Sequence, residues 1–148
     1  MVKFINKHRG ERSMTVIGFT FKKIFAERGP AVTGKVNISN NVALKKVEEA
    51  KVPVGNAKQK ALRFSYEYIT TYTPNIGSIT IEGDVLYLTS DDAVEKTLKS
   101  WKAKKQVEKE LLAPVLNMIL GKCTLKGLNI SQDLGLPSPV QLPKINVK

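Results

Sequence analysis

The chain has 148 residues, enough for one domain with one substantial core. A hydrophobic share of 42% excludes a disordered chain. Lys and Arg number 24 against 13 Asp and Glu, a formal charge of +11 that strains a compact fold unless something negative neutralises it.

Residues 1–14 are basic and carry little that could form a core, so they read as an appended arm. From Thr15 the apolar period becomes two, with Ile17, Phe19 and Phe21 on one side of a strand and Thr20 and Lys22 on the other. The segment Lys35 to Val52 predicts a second strand, broken by a bulge or turn at Asn37, Asn40 and Asn41. After a turn over 53–58, the clearest strand runs from Ala61 to Tyr72. Leu62, Phe64, Tyr66 and Tyr68 share one of its faces, and helices are expected to cover them. Pro74-Asn75-Ile76-Gly77 turns the chain into a fourth strand, Ser78 to Thr89, with Gly83-Asp84 read as a bulge.

The second half changes period. Ser90-Asp91-Asp92 is a helix start, with a capping hydroxyl and negative charge at the positive end of the dipole. Val94, Leu98 and Trp101 recur at helical spacing and read as core. A second helix is expected from Gln106 to Lys122, kinked at Pro114, and a short third one ends near Gly135. The fold class is therefore α+β: a four-stranded antiparallel sheet followed by two or three helices. The division is a basic arm (1–14), an α+β domain (15–135) and an extended Pro-rich tail (136–148).

Cys123 is the only cysteine, which excludes an internal disulfide and a cysteine-built zinc site. It follows an apolar run and reads as a small buried hydrophobe. No stretch is read as approaching the roughly 18–20 apolar residues that span a bilayer. The basic N-terminus lacks the apolar segment of a secretory signal, so a cytoplasmic location is expected.

His8 is the only histidine and lies in the arm, which removes Ser-His and Cys-His arrangements from the domain. The carboxylates, mostly interleaved with lysines on presumed helices, read as solvated faces and caps. No phosphate-binding glycine loop is present in the sequence. A non-enzymatic protein without cofactor or metal is expected.

Two basic clusters could hold phosphate oxygens. The arm supplies Lys3, Lys7, His8, Arg9 and Arg12, and the first helix supplies Lys96, Lys99, Lys102, Lys104 and Lys105. Together with the net charge they make RNA the expected partner.

The order of elements, strands first and helices last, resembles the SecB export-chaperone fold. Leu136-Pro137-Ser138-Pro139-Val140-Gln141-Leu142-Pro143 is similar to the Pro- and Leu-rich segment after the last helix of that family. Leu62-Arg63-Phe64-Ser65-Tyr66, Pro74-Asn75-Ile76-Gly77 and Ile81-Glu82-Gly83 look like small archaeal proteins of this architecture. The resemblance covers about Thr15 to Ile145 and implies a SecB-like sheet-and-helix fold. SecB proteins are acidic, however, whereas this chain is basic and carries an extra arm. A small basic domain with extensions at both ends looks like a ribosomal protein. The expectation is a ribosomal or ribosome-associated component contacting rRNA and neighbouring ribosomal proteins. The alternative is a SecB-like holdase with an apolar groove near Leu111, Leu112 and Ile119. A third reading is a basic adaptor for another protein or an anionic membrane.

Overall fold

Alternating burial along two central strands organises the molecule. The computed structural model describes residues 15–30 and 34–140. Within them the chain forms β1 (Thr15–Arg28), β2 (Asn37–Val54), β3 (Ala57–Thr73) and β4 (Gly77–Leu88), then α1 (Asp91–Lys104) and α2 (Lys109–Leu134). The α+β class and the order of strands before helices agree with the sequence. All neighbouring strands are antiparallel, in the order β1-β4-β3-β2. The hairpins β2-β3 and β3-β4 follow from their short turns, while β1 lies at the far edge beside β4.

Leu62, Phe64, Tyr66, Tyr68 and Tyr72 of β3 and Ile79, Ile81, Val85 and Tyr87 of β4 point to one face, each at most 2% exposed. Both helices pack against the sheet, with Val94 of α1 and Val115, Ile119 and Cys123 of α2 fully buried. Burying each large apolar side chain stabilises the fold by roughly 1.5–3 kcal/mol. The other face mixes apolar residues such as Phe25, Ile69 and Leu86 with polar groups, and there Asp84 accepts from Ser65 Oγ at 3.0 Å and pairs with Lys22 at 3.7 Å.

Two strand expectations change. Pairing of β2 with β3 runs unbroken through the asparagines, and its single irregularity falls between Leu44 and Lys46. Gly83 is not a bulge, because β4 pairs residue by residue with β3 on one side. The irregularities opposite it belong to β1, between Val16 and Gly18 and between Phe21 and Lys23. The first of these shifts Ile17 out of phase with Phe19 and Phe21 and leaves it 40% exposed.

The helix start at Ser90 is present. Ser90 Oγ accepts from the Ala93 N–H at 3.2 Å, with Asp91 and Asp92 in the first turn. Lys105 ends α1 in the left-handed region, φ 55°, with its N–H donating to the Trp101 carbonyl at 2.8 Å. The second and third expected helices are one continuous helix of 26 residues that runs through Pro114. Pro114 falls in the second turn, so its missing N–H leaves only the Glu110 carbonyl without its helical donor. By length and composition α2 is also apolar enough to cross a membrane, which the sequence reading did not anticipate. Its row of every fourth residue, Leu111, Val115, Ile119 and Cys123, is buried in the core.

Gly135 closes α2 with φ 69°, and the Leu136 N–H donates to the Ser131 carbonyl at 2.8 Å. Leu136 then turns back into the core. Tyr72 Oη donates to the Pro137 carbonyl at 2.7 Å and Asn40 Nδ2 to the Pro139 carbonyl at 2.9 Å. The start of the expected tail is thus tied to the sheet. The arm (1–14) and the stretch 141–148 lie outside the described residues.

Candidate binding groove

α2 covers the middle of the sheet and leaves part of the β2 edge open. Along β2, Val42 stands opposite Tyr68 and Leu44 opposite Tyr66, so both project to the core face. Each remains only partly buried. Across from them lie Trp101 in the last turn of α1, Val107 in the connection, and Leu112 and Leu116 in the first turns of α2. These six apolar side chains floor an open groove of about 540 Å³, with Lys105, Gln106 and Lys109 on its rim. Leu112, Leu116 and Leu120 form the row next to the core row of α2, and Leu120 is 42% exposed. The apolar surface of the groove therefore continues along the helix.

The elbow between the helices is held by its own backbone and one hydroxyl. Ser100 Oγ donates to the Gln106 carbonyl at 3.0 Å, and the Leu112 N–H donates to the Glu108 carbonyl at 2.8 Å. Lys96 Nζ lies 3.5 Å from Glu108 Oε2, outside the groove. Lys105 Nζ sits 5.4 Å from the Trp101 ring centroid, a cation–π contact that fixes one face of the indole. The groove is thus preformed, apolar within and cationic at its mouth. Such a cleft binds an apolar group by desolvation and can orient it by charge.

Of the candidates read from sequence, Lys96, Lys99, Lys102, Lys104 and Lys105 are all exposed on α1 or at its end. Lys102 and Lys104 lie in the last turn, where positive charge complements the helix dipole. Only Lys105 reaches the groove. Lys3, Lys7, His8, Arg9 and Arg12 lie outside the described residues. Of the three groove positions expected on the chaperone alternative, Leu112 lines it, whereas Leu111 and Ile119 are core. Val42, Leu44, Val107, Leu116 and Lys109 were not singled out from sequence, and Trp101 was assigned to the core. No separate sequence signal marked the groove, because Leu112, Val115, Leu116, Ile119 and Leu120 fit the i, i+3, i+4, i+7, i+8 stripe of a single core face.

Cys123 is fully buried, as expected, and burial pushes its thiol up to about 11. The Tyr66 hydroxyl is also raised by burial and donates to the Thr20 carbonyl at 3.1 Å. Among the described residues, no three His, Cys, Asp or Glu side chains come together in a way that could hold a metal ion.

No family model matches the chain, and no curated protein does. Among solved structures it is similar to a SecB-like chaperone of Mycobacterium tuberculosis, determined in complex with a ChAD peptide from the HigA1 antitoxin. The TM-score is 0.48 and the identity 11%, over 95% of this chain and 96% of that one. At this identity the likeness concerns the fold alone. That protein is bound to a peptide, and the rRNA and neighbouring ribosomal proteins expected as partners from sequence find no support in any of the comparisons. The physical reason for the error is plain: an excess of lysine calls for negative charge but does not distinguish a nucleic acid from an acidic polypeptide.

Proposed function

We propose that the protein is a non-catalytic holdase that binds apolar segments of unfolded polypeptides. The observation that carries this reading is the open groove, whose floor of Val42, Leu44, Trp101, Val107, Leu112 and Leu116 offers apolar surface to a partner. Three client side chains anchored there would contribute roughly 5–9 kcal/mol. Ordering five or six backbone residues costs roughly 1–2 kcal/mol each. The two terms nearly balance, so one groove holds a segment weakly and lets it go, as a holdase must.

The test is light scattering from a denatured protein diluted into buffer with increasing amounts of this one. Aggregation should slow at near-equimolar ratio. Leu112→Ser and Trp101→Ser, checked for native circular dichroism, should each weaken the effect severalfold. No slowing at a severalfold excess of the unaltered protein would sink the reading.

A further inference from the structure

We infer that the groove selects apolar segments flanked by acidic residues, an inference that rests on the holdase reading above. The argument is one of uncompensated charge. Lys105 and Lys109 line the groove, and among the described residues neither has a carboxylate within ion-pair distance.

The lysines that follow Leu44 on β2 lie on the outer face of the sheet and are paired. Lys45 pairs with Glu67 at 3.5 Å and Lys46 with Glu48 at 3.3 Å, on either side of the irregularity that follows Leu44. The acid closest in sequence to the elbow, Glu108, is turned away to Lys96. Glu110 is no substitute, because a helical step of roughly 100° per residue sets it about 160° around α2 from Leu112. The mouth therefore presents two cations that are not ion-paired among the described residues beside an apolar, low-dielectric floor, where a charge acts more strongly than on an open surface. A client whose apolar core sits on Trp101 and Leu112 places its flanking residues at this rim. Asp or Glu there meets Lys105 and Lys109, whereas Lys or Arg meets like charge. The formal +11 of the whole chain adds attraction at longer range.

The experiment titrates the full chain into three labelled peptides and follows fluorescence anisotropy. All share the core Leu-Phe-Val-Leu, flanked on each side by two Glu, two Ser or two Lys. At low salt the Glu-flanked peptide should bind about tenfold more tightly than the Lys-flanked one, since each partly exposed charge pair contributes up to a fewfold. The gap should close near 1 M salt, where the screening length falls to about 3 Å. The double variant Lys105→Glu/Lys109→Glu should reverse the order, read as the ratio of the Glu-flanked to the Lys-flanked affinity, so that a uniform change in apolar binding through Trp101 cancels. Equal affinities at low salt, or an order unmoved by the double variant, overturn the acidic preference and leave polypeptide binding standing. If none of the three peptides binds, the holdase reading falls with it.

Discussion

A Cβ at Gly83 would run into the Thr20 carbonyl oxygen and would stand 2.5 Å from the Tyr66 hydroxyl. Neither neighbour can retreat, since one is backbone of the adjacent strand and the other is held by its hydrogen bond to that same carbonyl. Gly83→Ala should therefore lower stability by about 3 kcal/mol, the upper part of the range for overpacking. Urea denaturation with an unchanged slope and a lower midpoint is the expected result. The sequence marked this glycine but not its reason. A glycine in a strand signals either a bulge or a close approach, and only the neighbouring strand decides between them. Here the bulges lie in β1, and β4 keeps its register.

At the scale of elements, Asn40 joins three parts of the chain. Its Oδ1 accepts from Thr70 Oγ at 2.7 Å and from Tyr68 Oη at 3.3 Å, and its Nδ2 donates to the Pro139 carbonyl. Asn40→Ala would leave the buried Thr70 hydroxyl without this acceptor and release the segment after α2. A loss of about 1–3 kcal/mol is expected from the unpaired polar groups. Hydrogen exchange should show the loss spreading from β2 to the end of α2. From sequence this asparagine read as a strand break, because side-chain bonds to distant residues leave no periodic trace. The regular elements were more legible. Alternation along β3 revealed the core face, and Ser90-Asp91-Asp92 revealed the start of α1. The length of α2 was missed because a break was placed after Lys122, although Cys123, Gly127 and Ser131 continue the buried row of every fourth residue; Pro114 was read as a kink within the first stretch and did not set that break.

For the whole molecule, the buried weak acids set an upper pH limit. Burial raises the Cys123 thiol from 9.0 to about 11 and the Tyr72 hydroxyl from 10.0 to about 12, and it raises Tyr66 and Tyr87 as well. Each group stays protonated longer in the folded chain than in the unfolded one. Their contribution is complete below the unfolded values and is lost as pH rises toward the folded ones. Stability should hold up to pH 9 and fall above it, with the onset set by Cys123; Tyr72 gives up its contribution by about pH 12, and Tyr66, raised further, continues the decline beyond it. Urea midpoints across the range check this, and Cys123→Ala should remove the earliest part of the decline. Net charge was the most visible property of the chain and the least specific one. It pointed to a negative partner, but the nature of that partner depends on where apolar surface stands beside the lysines. Val42 and Leu44 come from one edge of the sheet, Trp101, Leu112 and Leu116 from the helices and Val107 from the connection between them, so their convergence is a property of the fold.

The departures from regular pairing are distributed unevenly. The central pair, β3 and β4, keeps continuous register, while both strands at the margins, β1 and β2, are interrupted. Each interruption twists its strand and spoils the even row of N–H and C=O groups that an incoming strand would need. A protein that gathers unfolded chains at its surface is exposed to a particular hazard, since an open sheet margin can seed the cross-β stacking of whatever it has collected. On the proposed holdase reading, irregular margins would keep this sheet from becoming a template for fibres.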